Sequence, residues 1–348
     1  MHMLEEPNLR HDLISTHLQD AYGLQATELI FLPLGADVNT AVYRVVTSDG
    51  RTYFLKLRNG GFDETTVTLP AYLSTQGLRQ VIAPLETRLG QLWESLGAYK
   101  LILYPFIEGQ DGYVLSPTDE QWVEFGAAVK RIHTTELPAE LQQQIPREAY
   151  DPHWRNRVKD FQAQVEQDSF ADPTAAKLAE FMRLKRPEID LLVARAEQLA
   201  LELQVHPRKL VLCHSDLHAG NLHLTPGGAL YIVDWDNPSL APREHDLMHI
   251  GASKRWQGKR IKSLFYRGYG EVQVDGMAIA YYRCERILQD IAEFCEQLLS
   301  SRAGGKDREQ SLGYFTDQFE PGHEVEIASR GAGQNQRQNC GCSNPEDC

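Results

Sequence analysis

The sequence has no long uninterrupted apolar run, so nothing in it matches a membrane-spanning helix, which needs about 20 apolar residues. Its N-terminus has no basic start followed by an apolar stretch, and we therefore expect no secretion signal and a cytoplasmic location. The chain also lacks a basic excess, since its formal net charge is −13 and its pI about 5.4. This balance disfavours nucleic acid and anionic membranes as partners and is compatible with a cationic small molecule.

Cysteines are few and poorly placed for a metal site. Three of the six lie in apolar segments and are typical of buried, reduced thiols. The other three crowd into the terminal sequence "NCGCSNPEDC", which has no apolar pattern. Because a closed zinc site needs a fourth ligand and a supporting fold, we predict a disordered tail over residues 328–348.

The pattern of apolar residues changes along the chain. Residues 27–105 mostly alternate between apolar and polar, and "TELIFLPL", "NTAVYRVVT" and "RTYFLKLR" predict three strands. Helical periodicity dominates later, interrupted by one strand–loop–strand unit. We predict an α+β protein with a small, mainly antiparallel β lobe over 1–105 and a larger, mainly α lobe over 106–327. A ligand would bind in the cleft between such lobes.

Two helices can be predicted from the sequence. One helix shows its periodicity from Leu69 onward, and the adjacent Pro70 leaves the residue at which it begins undetermined. A second helix should begin with Ser116 as its N-cap and Pro117 in its first turn. Four apolar residues of this second helix recur at helical spacing and should face the core: Trp122, Phe125, Val129 and Ile132.

A dense set of polar groups stands beside apolar runs in "LVLCHSDLHAGNLHL" and "LYIVDWDNP". Polar groups at the edge of a core need partners that offset their desolvation. Gly220 allows a curved loop in which Asp216 and Asn221 face one point, and Asp234 ends the next apolar strand. Asn221 and Asp234 offer oxygen ligands suited to Mg²⁺, which leaves Asp216 to accept a hydrogen bond from an incoming hydroxyl. This division of roles predicts phosphoryl transfer.

An upstream strand supplies the cation that such a reaction needs. Lys56 in "YFLKLR" is predicted to contact the nucleotide phosphates, although a solvent-facing lysine on an alternating strand is the simpler alternative. The segment "PLGADVNTAVYRV", which contains Gly35 and Asn39, is predicted to cover those phosphates, because Gly35 permits a close backbone approach. An ordinary hairpin is the alternative.

The motifs "HSDLHAGN" and "VDWD", with an upstream strand lysine, resemble the aminoglycoside phosphotransferase family of protein-kinase-like small-molecule kinases. The segments "GADVNTAVYRV", "LYPFI", "DWDNPSLAPREHDLMHIG" and "YYRCERILQDIA" are similar to those of spectinomycin phosphotransferases. The resemblance implies a bilobal protein-kinase-like fold that uses Mg²⁺ and ATP rather than GTP. It assigns Asp216 as catalytic base, Asn221 and Asp234 as Mg²⁺ ligands, and Lys56 to the α- and β-phosphates.

The resemblance also implies supporting roles. His214 matches a structural histidine of the catalytic loop, and His218 either approaches phosphate or packs the loop. Asp246 either braces that loop or caps the following helix. The segment from Tyr104 through Phe106 to Ile107 would form the hinge, where backbone groups pair with the purine edge.

Kinase-like folds usually pair the strand lysine with a helix glutamate, and Glu64 is the local candidate for that role. Pro70 falls six residues later and disturbs the helix that would carry it. Asp63, or neither residue, is therefore the alternative.

Three carboxylates are predicted to attract a protonated amine of the substrate: Asp236, Glu285 and Asp290. For the last two, the alternative is a solvated helix face with local ion pairs, since Arg286 and Asp290 stand at i, i+4. The predicted function is ATP-dependent O-phosphorylation of an aminoglycoside or aminocyclitol, with spectinomycin as first candidate. The alternatives are a kinase for choline, a sugar or homoserine, and a non-catalytic nucleotide-binding regulator.

Overall fold

A computed structural model describes residues 6–34, 39–251, 256, 258–300 and 305–329. Gly35 and the terminal cysteine cluster therefore lie outside the described residues. The chain forms two compact units, each built from three segments. The first comprises Met1–Pro146, Leu212–Leu240 and Ser263–Gly270, and the second comprises Arg147–Val211, Ala241–Lys262 and Glu271–Cys348. The lobe boundaries placed after residues 105 and 327 stay predictions.

The first unit begins with a short helix that packs on a sheet. Helix α1 (His11–His17) continues as a π-helical segment and ends at Gly23, whose φ of 73° is the left-handed conformation that terminates helices. Ile14 and Leu18 on this helix are fully buried in the same core as the inward residues of the sheet.

The sheet is five-stranded and antiparallel throughout, in the order β1-β2-β3-β5-β4. Its strands include the three predicted between residues 27 and 58: β1 Ala26–Leu32, β2 Thr40–Thr47, β3 Thr52–Asn59, β4 Glu94–Leu96 and β5 Tyr99–Pro105. In β3, Leu55 and Leu57 are fully buried in the core. Because side chains alternate along a strand, Lys56 and Arg58 share the opposite face.

Helix α2 (Thr65–Thr75) begins four residues before Leu69, earlier than the periodicity indicated. Asp63 explains the difference, because its carboxylate accepts a hydrogen bond from the Thr65 N–H at 2.9 Å and caps the helix. Pro70 then lies inside the helix and removes only one backbone hydrogen bond.

Helix α3 (Asp119–Thr134) is capped by Thr118 rather than by Ser116, which corrects the second predicted start. Thr118 and Gln121 form a reciprocal capping box, in which each side chain bonds the other's backbone N–H. The four apolar residues predicted to face the core are all buried.

The predicted strand–loop–strand insertion is present in the structure. Strands β6 (Gln110–Asp111), β8 (Leu222–Leu224) and β9 (Leu230–Ile232) form a three-stranded antiparallel sheet in the order β6-β8-β9. β7 (Leu210–Cys213) precedes the polar loop and pairs with β10 (Ser239–Pro242). The loop between β7 and β8 contains a single 3-10 turn.

The remaining elements are helical, as the periodicity predicted. They are α4 Ala139–Gln144, α5 His153–Gln167, α6 Pro173–Leu184, α7 Arg186–Val205, α8 Glu244–Leu247, α9 Lys259–Tyr269, α10 Gly276–Cys295, α11 Gly305–Asp317 and α12 Glu324–Ser329. The core of the second unit is built mainly from α5, α6, α7 and α10. The three internal cysteines are buried, as predicted. Among the described residues, no helix combines the length and apolarity needed to cross a bilayer.

Candidate active site

Strand β3 presents two cations to one carboxylate. The Lys56 Nζ lies 2.9 Å from both carboxylate oxygens of Asp236 and 3.5 Å from the Asp234 Oδ1. Arg58 Nη1 donates to the Asp236 Oδ2 at 2.8 Å. The lysine therefore faces the acidic turn after β9 rather than bulk solvent, which excludes the simpler of its two interpretations.

The turn after β9 is held in an unusual conformation. Asp234 has a φ of 66°, a left-handed backbone that non-glycine residues adopt at a cost and that often marks functional sites. Trp235 anchors the turn, since it is buried and its indole N–H donates to the Ile232 carbonyl at 3.1 Å. The side chains of Asp234 and Asp236, on either side of this anchor, both reach Lys56.

The carboxylates of this turn feel opposite electrostatic environments. Half of the Asp234 side-chain surface is accessible, but protein surrounds the carboxylate closely enough to desolvate it, and this desolvation, with repulsion from Asp236 and Asp216, raises its pKa despite the nearby Lys56. Burial would also raise the pKa of Asp236, but the attraction of Lys56 and Arg58 outweighs it and lowers that pKa. Burial disfavours charge on Lys56 as well, yet the two aspartates outweigh it and raise its pKa. The cluster therefore holds more negative charge than its own cations neutralise.

The loop after β7 supplies Asp216 and Asn221. Asp216 follows Ser215, another residue with a left-handed backbone at φ 71°. The Asn221 amide nitrogen donates to the Asp216 backbone oxygen at 2.8 Å and to its carboxylate at 3.2 Å. Because the nitrogen faces Asp216, the amide oxygen of this buried residue faces away from it and is an oxygen donor suited to a cation.

His214 links this loop to the end of β9. It is fully buried, and its Nε2 donates to the Val233 carbonyl at 2.9 Å while its Nδ1 accepts from the Asp216 N–H at 3.4 Å. Its ring also lies edge-on to Trp235 at 4.7 Å. These contacts agree with the structural role predicted for His214, since they join Asp216 to the residue before Asp234.

His218 lies beside the predicted base. Its Nε2 is 3.5 Å from the Asp216 Oδ2, and its Nδ1 accepts from the Gly220 N–H at 3.0 Å. The imidazole thus stands next to the group that would receive a proton, and both roles predicted for His218 remain open.

The predicted hinge begins inside β5, at Tyr104, and continues past the end of that strand. Tyr104 stands opposite Phe54 of β3, and burial, with the negative charge of Asp236, raises the pKa of its phenol. Phe106 N donates to a backbone oxygen at the start of β3 at 3.4 Å. The Ile107 carbonyl accepts from His223 Nε2 at 2.9 Å, so that carbonyl already has an internal partner.

Some predicted site residues are not brought to Lys56. Glu64 is exposed at the start of α2, and within the described ranges the ion pairs of Lys56 go to Asp234 and Asp236 instead. Asn39 is exposed, and its carbonyl accepts from the Asn59 N–H at 2.8 Å. Nothing in these contacts supports the predicted nucleotide roles of Glu64 and Asn39, which stay predictions.

The predicted substrate carboxylates already have cationic partners. Asp236 pairs with β3, as described above. In the second unit, Glu285 Oε1 lies 2.8 Å from the Arg155 Nε, and Asp290 Oδ1 lies 3.0 Å from the Arg286 Nε. These contacts favour local ion pairs over substrate contacts. Asp246, the predicted brace of the catalytic loop, is fully buried in α8.

Arg58 is a site residue that the sequence interpretation missed. Its distance from Lys56 along the strand could have identified it. Residues i and i+2 of a strand lie on the same face, so Arg58 would be expected beside Lys56. No sequence signal marks Asp236 as the partner of Lys56, because that contact joins positions 180 residues apart.

The donor set fits a magnesium ion. Asn221 offers an amide oxygen and Asp234 a carboxylate whose side chain is 50% exposed. Hard oxygen donors with room for water molecules are what Mg²⁺ prefers. The excess of negative charge around Asp234 is also what a divalent cation would neutralise.

With this geometry established, comparison with known proteins decides the family. The model of the phosphotransferase enzyme family (APH) matches residues 30–286. The chain belongs to the phosphotransferase enzyme family. Protein StrN of Streptomyces griseus is 29% identical over 239 residues, which cover 68% of this chain and 70% of the relative.

Solved structures extend the likeness to the whole fold. The spectinomycin phosphotransferase APH(9)-Ia, in complex with ADP and spectinomycin, is 36% identical with a TM-score of 0.87. That match covers 94% of this chain and 100% of the other. The choline kinase LicA of Streptococcus pneumoniae is 16% identical with a TM-score of 0.52 and covers 88% of this chain and 99% of its own, a likeness of fold alone.

These matches confirm the predicted α+β protein-kinase-like fold and the predicted family. As a member of the phosphotransferase enzyme family, the protein is a small-molecule kinase.

Proposed function

We propose that this protein is an ATP-dependent O-phosphotransferase that phosphorylates a hydroxyl of an aminocyclitol or aminoglycoside, with spectinomycin as the first candidate. The carrying observation is the contact of Lys56 with Asp234 at 3.5 Å, together with the hydrogen bond from the Val233 N–H to the Asn221 carbonyl at 3.0 Å, which holds the loop of Asp216 against the strand end that carries Asp234. Residues from three separated segments thereby form one charged cluster. The likeness to a spectinomycin phosphotransferase over nearly the full length supports the choice of substrate.

In this proposal, Asn221 and Asp234 hold Mg²⁺, which neutralises charge on the triphosphate when bound. Lys56 exchanges its contact with Asp236 for the nucleotide phosphates, and Arg58 remains as the counter-ion of Asp236. Asp216 accepts a hydrogen bond from the acceptor hydroxyl and aligns its oxygen with the γ-phosphorus. As the new P–O bond forms and the bond to ADP breaks, the hydroxyl proton passes to the Asp216 carboxylate.

Charge supports a cationic acceptor. Asp234 and Asp236 contact the two cations of β3, and Asp216 adds a third carboxylate on the adjoining loop, so the carboxylates of the cluster outnumber its lysine and arginine. The whole chain adds a net charge of −13. An acceptor that bears protonated amines would be attracted to such a surface, whereas a neutral sugar would not.

The test is mass spectrometry of spectinomycin after incubation with the protein, Mg²⁺ and ATP, looking for the addition of one phosphate. Asp216→Asn is the matched control, because it removes the base and keeps the shape of the side chain. It should retain nucleotide binding and lose transfer by roughly 10²- to 10⁴-fold.

An acceptor panel separates the proposal from its alternatives. Turnover of choline without turnover of any aminocyclitol would replace the proposed acceptor class. Binding of Mg·ATP without transfer to any acceptor in the panel would favour the non-catalytic regulator instead.

A further inference from the structure

The segment that follows the hinge is fixed to the catalytic loop by its backbone. β6 pairs with β8, which leaves that loop, through the partners Gln110↔Leu224 and Asp111↔His223. The Gly112 N–H donates to the carbonyls of Ala219 and Leu222 at 2.9 and 3.0 Å. A Cβ at Gly112 would stand 2.6 Å from the Ala219 oxygen, so this close approach requires glycine.

This attachment brings the ring of Tyr113 onto the imidazole of His218. The two rings are stacked, with centroids 5.9 Å apart and planes 29° apart. Asp111 fixes the start of the turn, since its carboxylate accepts from the Tyr113 N–H at 2.8 Å. Gly220 makes room beneath the ring, because a Cβ there would lie 2.8 Å from the Tyr113 Cε2.

The position of Tyr113 is unusual for a purely structural aromatic residue. Its side chain remains 47% exposed, and the next two residues, Val114 and Leu115, are 64% and 41% exposed. Tyr113 therefore contributes little to the core of the protein. Its ring stacks instead on the imidazole of His218, which stands 3.5 Å from the Asp216 carboxylate.

His218 is held on two sides. The Gly220 N–H donates to its Nδ1 at 3.0 Å, which in the neutral ring leaves the proton on Nε2, the nitrogen nearer Asp216. Two longer polar contacts, each at 3.5 Å, join the Tyr113 hydroxyl to the same Nδ1 and the Asn221 amide nitrogen to Nε2. The stacked ring of Tyr113 covers the face of the imidazole and restricts its tilt about these edge contacts.

We propose that Tyr113 is a positioning residue, whose ring fixes the orientation of the His218 imidazole beside Asp216. This inference rests on the proposed function, because it assigns Tyr113 a part in the transfer that Asp216 carries out. Tyr113 acts through His218 and needs no contact with the acceptor.

A double-mutant cycle tests whether Tyr113 acts through His218. Tyr113→Ala should lower kcat for the phosphorylated acceptor by about 10-fold, with the nucleotide KM little changed. In a His218→Ala background the same substitution should change kcat by less than about twofold, because the group it positions is gone. Tyr113→Phe keeps the ring and should recover most of the loss.

Two further variants sharpen the cycle. Gly220→Ala adds a methyl group at the point where Tyr113 and His218 meet. Because this methyl group would push the two rings apart, the variant should lower kcat, as Tyr113→Ala does. Tyr314→Ala is the matched control, since Tyr314 is a tyrosine of similar exposure, 50%, on α11. It should leave kcat unchanged.

An NMR measurement tests the same contact without any acceptor. The His218 ring protons, assigned by their loss in His218→Ala, should carry a ring-current shift in wild type and in Tyr113→Phe but not in Tyr113→Ala. Equal shifts in all three proteins, or a full Tyr113→Ala loss of kcat in the His218→Ala background, would overturn the inference. If wild type phosphorylates no acceptor, the proposed function fails and the ring-current result alone decides whether Tyr113 orients His218.

Discussion

Two charged clusters of this protein, one in each compact unit, differ in how far their side chains are exposed to solvent. The first, here called the transfer cluster, comprises Lys56, Arg58, Asp216, Asn221, Asp234 and Asp236. Its ionic side chains are 15–50% exposed, and Lys56 contacts two carboxylates at once. The second is the pair of Arg155 and Glu285, whose side chains are only 4% and 10% exposed.

The difference indicates which cluster is able to exchange partners. In the transfer cluster, the Asp234 side chain is 50% exposed and its left-handed backbone is held by the surrounding turn, so its carboxylate is open to a new partner in a fixed position. Around the buried pair, Arg155 donates to the Tyr150 and Asp151 carbonyls at 2.7 and 2.8 Å, which closes the site with backbone groups. We therefore assign chemistry to the first cluster and a structural role to the second.

The largest expected effect is on activity, from Lys56→Met in the transfer cluster. The substitution removes the ammonium group that would contact the nucleotide phosphates. It should lower kcat/KM by roughly 10³-fold, because removing one group that stabilises the charge of a transition state typically costs about that factor in rate. Steady-state kinetics measures it. Lys100→Met, on β5 of the same sheet, is the matched control and should keep its activity. Equal losses of kcat/KM in both variants would show that the loss does not depend on the position of Lys56, and the transfer cluster would lose its assigned role.

The next effect is on stability, from Arg155→Ala in the buried pair. It leaves the Glu285 carboxyl without its cation and two backbone carbonyls without a donor, and should lower the free energy of unfolding by about 3–5 kcal/mol. Denaturant unfolding measures it. Arg157→Ala on the same helix, whose exposed side chain pairs with Glu296, should cost less than about 1 kcal/mol. A large loss of activity in the folded Arg155→Ala protein would contradict a purely structural role.

A third test uses pH. Burial raises the pKa of Glu285 from 4.5 to about 7 in spite of Arg155, whose Nε is close to Oε1 but not aligned for a hydrogen bond with it. Between pH 4.5 and pH 7 the folded protein keeps a proton on Glu285 that the unfolded chain has lost. The contribution of Glu285 to the free energy of unfolding is therefore largest below pH 4.5 and decreases as the pH rises toward 7. The loss is about 3 kcal/mol.

Glu285→Gln cannot ionise and should show a flatter dependence of stability on pH across this window, measured as the midpoint of thermal unfolding at several pH values. Identical pH profiles for the variant and wild type would show that the carboxyl does not titrate there.

The smallest expected effect comes from Asp290→Asn. Asp290 forms an i, i+4 pair with Arg286 on α10, and such pairs contribute only about 0.3–0.5 kcal/mol. Acceptor KM should not change. An acceptor KM raised by an order of magnitude would restore Asp290 as a substrate residue and extend the chemistry to the second unit.

The sequence predicted the fold and the centre of the transfer cluster because both depend on local patterns. The apolar alternation predicted strand β3 around Lys56, and the spacing of Asp216 and Asn221 placed them on one tight loop, whereas the choice between solvent and the site for Lys56 came from the family resemblance. Contacts between distant segments could not be predicted in this way. Asp236 was interpreted as a substrate residue because nothing local connects it to β3, and Glu285 because its burial against Arg155 depends on how α5 and α10 pack.

Helix ends were also missed for a local reason. Asp63 and Thr118 both cap through side-chain hydrogen bonds, whereas the sequence interpretation gave weight to Pro70 and Pro117. A proline can be read directly from the sequence. Which side chain caps the helix depends instead on which one reaches a free backbone N–H of the first turn, and only the folded structure shows this.

The central claim is that Asn221 and Asp234 hold the metal that accompanies the nucleotide bound by Lys56. The most direct measurement is calorimetric titration of ATP into wild type and Asp234→Asn, each with Mg²⁺ and with EDTA. We predict that Mg²⁺ strengthens binding to wild type and that Asp234→Asn loses most of this gain while still binding metal-free ATP. An equal gain from Mg²⁺ in both proteins would contradict the claim.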